Sequence, residues 1–91
     1  MKFEYDLKKS QSNKAKHGID FEEAKELWAD PDSLEAPVMR PGEERFIVIG
    51  AMMGTYWAAI ITYRGNAVRL ISVRRARSEE IKHYETDKNN S

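Results

Sequence analysis

Five arginines lie within fourteen consecutive residues near the C-terminus, in a segment that contains no carboxylate. They are Arg64, Arg69, Arg74, Arg75 and Arg77. Arginine stays charged at any physiological pH, and its planar fork of donors pairs an oxyanion through two parallel hydrogen bonds. The segment therefore predicts a site for phosphate groups, such as those of RNA, or for an acidic protein partner.

Charge is unevenly distributed along the chain, although the formal net charge is zero. Residues 20–35 hold seven carboxylates against Lys25 alone, whereas residues 64–77 are purely basic. A nonspecific nucleic-acid coat depends on the release of many counterions, which a neutral protein does not favour. We therefore expect one small basic site rather than a uniformly basic surface.

Length and composition predict one domain over residues 1–86, followed by a frayed polar tail over residues 87–91. The chain has no cysteine, which excludes disulfides and thiolate metal sites and suits a reducing cytoplasm. Two histidines alone make a poor zinc site, so we expect no metal and no cofactor.

No apolar run has the length of a membrane span, and the N-terminus lacks a signal-peptide stretch. We expect a soluble cytoplasmic protein with no membrane partner.

The N-terminal third carries the signals of a short strand and two helices. Alternating aromatic residues predict an edge strand over residues 2–6. A polar, helix-compatible segment follows, and Gly18 supplies the left-handed residue that ends it. Asp20 and Glu23 have the spacing of a capping box for a second helix, which Pro31 ends. The two helices are expected to form a hairpin.

The remainder predicts a sheet and a final helix. β-Branched and aromatic residues dominate three segments, which are residues 44–52, 55–64 and 67–74. Gly65-Asn66 predicts a type II′ turn between the last two segments, and Ser78 is placed to cap a C-terminal helix. With a short strand within residues 33–42, this order predicts an α+β fold. We expect an antiparallel sheet with an N-terminal helical hairpin and a C-terminal helix packed on it.

A two-residue turn at Gly65-Asn66 fixes the register of the strands that it joins. An unbroken ladder pairs Arg64 with Ala67, Thr62 with Arg69, Ile60 with Ile71, Ala58 with Val73 and Tyr56 with Arg75. One face of the sheet then carries Arg64, Arg69 and Arg75. Arg74 points to the other face, so a single pocket with Arg64, Arg74 and Arg75 requires a break near residues 72–74.

Two segments together resemble the BrnT family of toxins. The first contributes Phe3, Tyr5, Asp6, Lys9, Asn13, Lys16, His17, Gly18, Phe21, Glu23 and Ala24. The second contributes Glu44, Arg45, Ile49, Gly50, Thr62, Arg64, Ile71, Ser72, Arg74, Ala76, Glu80 and Tyr84. The combination of KHG with the SxRxA strand end is specific. Val73 departs from the family pattern, which has alanine there, and Tyr5 stands where relatives often have tryptophan.

The resemblance implies a RelE-like fold and a toxin of a type II toxin-antitoxin system. The implied activity is an endoribonuclease that inhibits growth through translation arrest. The implied partner is a BrnA-type antitoxin, with two toxins bridged by an antitoxin dimer.

Metal-free RNA cleavage needs a base for the 2′-hydroxyl, cations for the charge on phosphorus and an acid for the leaving 5′-oxygen. With the family match, we assign binding of the scissile phosphate and transition-state stabilisation to Arg64, Arg74 and Arg75. Lys9 and Lys16 are expected to guide phosphates from the first helix, and Arg69 to bind RNA at the periphery. No residue is assigned to a metal.

The base is left open by the sequence. His17 titrates near neutrality and is the natural candidate for proton transfer, although a histidine before a helix-ending glycine often serves only as a cap. Glu80 and Tyr84, one helical turn apart, are the alternative acid or base.

Two other functions use the same residues. A noncatalytic binding module would engage an acidic partner or RNA with its arginine face, and binding alone needs no ionisable group with a shifted pKa beside the arginines. A DNA-binding regulator is disfavoured, because no basic recognition helix is visible and the second helix is acidic. We therefore expect no direct DNA binding by the toxin alone.

Overall fold

The structure is a computed structural model that describes residues 1–90. In chain order its elements are β1 (Lys2–Glu4), α1 (Leu7–His17), α2 (Phe21–Ala24), a 3-10 helix (Lys25–Ala29), β2 (Leu34–Val38), β3 (Arg45–Met52), β4 (Thr55–Arg64), β5 (Ala67–Arg75) and α3 (Ser78–Asn89). The predicted α+β class is confirmed. The tail that we predicted over residues 87–91 begins inside α3, and residue 91 lies outside the described residues.

The five strands form one sheet in the order β1-β5-β4-β3-β2. Strands β2 to β5 pair antiparallel, whereas β1 pairs parallel to β5. The prediction of an antiparallel sheet was therefore wrong for β1. The reason is that β1 is separated from its partner by the rest of the fold, so the chain makes a long crossover, which permits a parallel pair. No helix within residues 1–90 has the length and apolar character needed to cross a membrane.

Local sequence signals account for the ends of the N-terminal helices. The Asp6 carboxylate accepts from the Lys9 N–H, and Gly18 with φ of +82° ends α1. Asp20 and Glu23 form the predicted capping box. The second helix differs from the prediction, because after one α-helical turn the chain tightens into the 3-10 helix rather than continuing as α-helix towards Pro31.

The core lies between one face of the sheet and the segment from α1 to the 3-10 helix. The buried apolar cluster comprises Ile19, Phe21, Ala24, Leu27, Val48, Met52, Trp57, Ala59, Ile61, Val68, Leu70 and Val73. Phe3 and Trp28 close one side through an edge-to-face contact with ring centroids 5.0 Å apart. The opposite face carries α3, whose Tyr84 ring packs on Tyr56 at 5.6 Å. The helical elements therefore cover both faces of the sheet.

Asp30, directly after the 3-10 helix, bonds to both β3 and α3. Strand β2 begins at Leu34, opposite Ile49, so the outer edge of β3 beyond that point has no strand partner. The Asp30 carboxylate accepts from the Ala51 N–H at 2.9 Å, and the Tyr84 hydroxyl of α3 donates to the same oxygen at 2.8 Å. Burial alone would raise the pKa of Asp30, but these bonds and one from the Asp32 N–H lower it.

Removal of this carboxylate should be among the most costly single changes outside the apolar core. We expect Asp30→Ala to lower the free energy of unfolding by about 2–3 kcal/mol, because the Ala51 and Asp32 N–H groups and the Tyr84 hydroxyl lose their acceptor. Tyr84→Phe should cost about 1 kcal/mol, and the double variant less than the sum of the two. Urea unfolding measures the free energy of unfolding of all three variants.

Asp32→Ala provides the control, because it removes a neighbouring carboxylate for which the structure shows no hydrogen bond as an acceptor. We expect it to change stability by less than about 0.5 kcal/mol. Equal losses in Asp30→Ala and Asp32→Ala would contradict a specific role for Asp30.

Candidate active site

A bulge in β5 decides where the arginines point. Arg64 pairs with Ala67 and Thr62 with Arg69, as predicted. Ile61 then pairs with Leu70 and Ile60 with Ser72, which leaves Ile71 as the extra residue. The predicted pairs Ile60–Ile71, Ala58–Val73 and Tyr56–Arg75 were therefore wrong, since each later pair is shifted by one residue.

The shift exchanges the faces of two arginines. Arg74 now lies opposite Ala58 and Arg75 opposite Trp57. Because side chains alternate along a strand, Arg74 shares a face with Arg64 and Arg69, while Arg75 points to the face that α1, α2 and the 3-10 helix cover. The prediction that Arg64, Arg69 and Arg75 share a face was wrong for Arg75.

Arg64 and Arg74 share a face but not a pocket. Arg64 is six residues from Ala58 on β4, so the two positions are about 20 Å apart along the strand. Between them, Arg69 donates to Glu4 at 2.8 Å across the parallel pair. An arginine row along one face of the sheet therefore consists of Arg64, Arg69 and Arg74. The single cluster of Arg64, Arg74 and Arg75 is not formed.

Arg74 is bound by a carboxylate. Its Nη1 and Nη2 donate to the two oxygens of Glu80 at 2.8 and 2.9 Å, and Glu80 also accepts from the Arg77 N–H. The hydrogen bonds from Arg74 are the largest cause that lowers the pKa of Glu80. This pair anchors the start of α3. Ser78, which we predicted as the cap, is instead the first helical residue after Arg77.

Arg75 is exposed and has no ion-pair partner within residues 1–90. Its guanidinium carbon lies 5.1 Å from the centroid of the Trp57 ring. Trp57 itself is buried, with 5 % of its surface exposed, and donates its indole N–H to the Met52 carbonyl. The ring therefore supports Arg75 through a cation–π contact and is not available for stacking on bases.

The direction of α1 relative to β5 indicates where the last turn of the helix lies. It begins after β1, which ends opposite Arg69, and its Asn13 bonds to Val73 further along β5. Helix and strand therefore run in the same direction. His17 lies one turn beyond Asn13, a rise of about 6 Å that corresponds to about two strand residues, so we expect it near the level of Arg75 along β5.

The polar residues of α1 divide into two groups. Lys9 and Lys16 are exposed, as phosphate guides need to be. His17 is half-buried, and its side chain makes no hydrogen bond within the described part of the chain. Asn13, in contrast, is buried against β5.

Tyr84, the other acid or base candidate, is also bound to a structural partner. It is buried, and its hydroxyl donates to Asp30, so burial and this bond raise its pKa. An open cleft of about 550 Å³ beside it is lined by Glu26, Asp30 and Asp32, whose charge disfavours phosphate. Residues 1–90 contain no group of three or more His, Asp or Glu side chains arranged to hold a metal ion.

Comparison with known families decides the identity of the chain. The family model of the ribonuclease toxin BrnT of type II toxin-antitoxin systems matches residues 5–80. The chain belongs to the BrnT family. It is therefore a member of a family of ribonuclease toxins, and its class implies an antitoxin partner. No curated protein matches the chain.

In this BrnT family member, sequence reasoning missed three structural features of the candidate site. Nothing local shows that Asn13 is buried, because lysines surround it in the helix. The support of Arg75 by Trp57 depends on the bulge. The Arg74–Glu80 pair had a signal, since an acidic residue in the first turn of a helix can satisfy N–H groups there.

The Arg74–Glu80 pair predicts a pH-dependent stability. Since the pKa of Glu80 is lowered in the folded state, the contribution is complete above its ordinary value of 4.5 and is lost as the pH falls below it. We expect Glu80→Gln to cost about 2 kcal/mol at pH 7 and to flatten the loss of stability between about pH 5 and pH 3. Urea midpoints measured across this range test it.

Glu79→Gln is the matched control, since Glu79 is an exposed glutamate in the same first turn. Its stability curve should run parallel to that of the wild type. If the Glu80→Gln curve is also parallel, the pair does not supply the acid sensitivity.

Proposed function

We propose that this BrnT family member is a metal-independent endoribonuclease of the cytoplasm, with a RelE-like fold in which α1 and α2 form the helical hairpin. It cleaves RNA through attack of the 2′-hydroxyl on the adjacent phosphate and inhibits growth through translation arrest. The observation that carries this proposal is the exposed Arg75, supported by Trp57, at the end of the strand to which Asn13 fastens α1.

Arg75 is the residue proposed to bind the scissile phosphate. Its guanidinium donors can contact the non-bridging oxygens, whose charge increases as the 2′-oxygen attacks. Because the ring of Trp57 restricts the guanidinium plane, less reorganisation is needed when that charge develops. Arg74 acts differently, since Glu80 occupies its donors, and we propose that it orients the end of β5 and the start of α3.

His17 is the proposed base. A neutral imidazole at the end of α1 can accept the 2′-hydroxyl proton, and Lys16 in the same turn can guide the phosphate. One histidine cannot both hold this proton and donate another in the same step, so we propose that water protonates the leaving 5′-oxygen. The alternatives Glu80 and Tyr84 would first have to leave Arg74 and Asp30.

Arg64, Arg69 and Lys9 are proposed to bind flanking nucleotides. Arg64 is exposed and unpaired within residues 1–90, and it lies at the far end of the arginine row from the bulge. It lies about 20 Å along the strand from Arg74 and on the opposite face of the sheet from Arg75, so we propose that it contacts a phosphate several nucleotides from the cleavage point. This revises the assignment of Arg64 to the scissile phosphate.

The antitoxin completes the proposal. We propose that it is a BrnA-type protein that neutralises the toxin, with two toxins bridged by an antitoxin dimer. Exposed arginines that bind RNA also suit antitoxin carboxylates, so competition for Arg64 and Arg75 would explain neutralisation.

A noncatalytic binding module is the second candidate. It is favoured by the engagement of Glu80 and Tyr84, two of the three candidates for proton transfer, in structural contacts. The two functions differ in whether the purified protein cuts RNA.

The arginine assignments predict different defects. We expect Arg75→Ala to reduce RNA cleavage about 100-fold or more and to abolish growth inhibition, because charge on the phosphate loses its stabiliser. Arg64→Ala should mainly raise KM, since a flanking contact binds ground and transition states alike. The assays are growth after induction and cleavage of purified RNA with and without EDTA.

Arg40→Ala is the control, because Arg40 is exposed in the connection between β2 and β3, outside the arginine row. Its activity should equal that of the wild type. Full toxicity in soluble Arg75→Ala would refute the phosphate site, and a requirement for a metal would refute the metal-independent mechanism. A soluble wild type that leaves RNA intact would favour the binding module.

The base assignment predicts a pH signature. Wild-type kcat should rise with pH as an imidazole base loses its proton and should then level off. We expect His17→Gln to lower kcat between about 100- and 10,000-fold and to remove this rise. His83→Gln, on exposed α3, should leave the profile unchanged. A His17→Gln variant that keeps the rise would assign His17 to capping alone.

A further inference from the structure

Asn13 uses its whole side-chain amide in hydrogen bonds. Its Nδ2 donates to the carbonyls of Val73 and Ile19, each at 2.8 Å, and its Oδ1 accepts from the Val73 N–H at 3.1 Å. The side chain is buried, with 7 % of the residue exposed. A buried and fully satisfied amide of this kind costs free energy if any partner is removed.

The Asn13 amide bonds to an edge of β5 that no strand covers. Strand β1 pairs with β5 only from Ala67 to Arg69, so the outer edge of β5 has no strand partner beyond that point. A carboxamide carries the same donor and acceptor as a peptide group. Asn13 therefore continues the ladder at Val73, which lies two residues after the bulged Ile71 and directly before Arg74.

This position joins the two halves of the proposed site. On one side, the amide holds the strand where the bulge decides which face Arg75 occupies. On the other, it holds α1 one turn before His17. We propose that Asn13 is a positioning residue for RNA cleavage, which keeps Arg75 and His17 in a fixed relative placement. This inference rests on the proposed nuclease function.

Ser10 provides a matched comparison. It lies one turn before Asn13 on the same side of α1, is 4 % exposed, and its hydroxyl accepts from the Phe21 N–H at 2.9 Å. It therefore fastens α1 to α2, whereas Asn13 fastens α1 to β5. Loss of either group should destabilise the fold, but only loss of Asn13 should displace Arg75.

The experiment compares Asn13→Ala and Ser10→Ala in the full chain, at a temperature where urea unfolding shows both to be folded. With RNA in excess, we expect kcat of Asn13→Ala to fall about 100-fold with little change in KM, because misplacement of about 1 Å has that effect. Ser10→Ala should keep wild-type kcat. A purely structural role would give equal activity in both folded variants.

Two NMR measurements report on the Asn13–Val73 contact and on the position of Arg75, independently of RNA cleavage. Hydrogen exchange of the Val73 amide should accelerate in Asn13→Ala alone, since its acceptor is lost. The Arg75 side-chain protons, which lie near the Trp57 ring, should also lose their ring-current shift in that variant alone. If Asn13→Ala does not fold, Asn13→Asp replaces it, because a carboxylate keeps the bond from the Val73 N–H but loses both donor bonds.

The outcomes separate the two proposals. A folded variant at position 13 that retains wild-type kcat, or that retains the Arg75 shift, overturns the positioning role. So does an equal loss of kcat in Ser10→Ala. If the wild type cleaves no RNA, the nuclease proposal fails, and the NMR measurements still show whether Asn13 places Arg75.

Discussion

The sheet depends on side chains that satisfy its unpaired edges. Buried main-chain N–H and C=O groups need partners, and both outer strands stop before their neighbours do. Asn13 serves the edge of β5 beyond β1, and Asp30 serves the edge of β3 beyond β2. Each comes from the helical segment that covers the core. Two polar residues therefore attach that segment to opposite edges of the sheet, and apolar packing fills the space between them.

The bulge in β5, near the attachment of Asn13, decides the surroundings of the two arginines that follow it. An extra residue at Ile71 exchanges the faces of the next two arginines, and the chemistry of each then follows from its new neighbours. Arg74 meets Glu80 and becomes an anchor for α3. Arg75 meets the ring of Trp57 and remains exposed. Without the extra residue, Arg75 would lie on the face that α3 covers, and Arg74 would lie on the opposite face beside Trp57.

Local features of the fold were predictable from the sequence, and distant ones were not. The capping box of Asp20 and Glu23 was correct, and so was the pairing of Arg64 with Ala67 beside a turn whose positive φ lies at Gly65. These depend on residues a few positions apart. The bulge is stabilised by Asn13, sixty residues away in the chain, and no strand pattern contains that information. The parallel pairing of β1 likewise depends on which edge of the finished sheet is available.

The uneven charge of the chain acquires a direction in the folded protein. The carboxylates of residues 20–35 include Glu26, Asp30 and Asp32, which line a cleft beside α3. The exposed Lys16 lies in the last turn of α1 and the exposed Arg75 at the end of β5, the two elements that Asn13 joins. A neutral protein cannot attract RNA by its total charge, so the local field must orient the encounter. For the proposed nuclease, the acidic cleft would repel phosphate and Lys16 and Arg75 would attract it, so RNA would be directed towards the end of β5 that the bulge and Asn13 define.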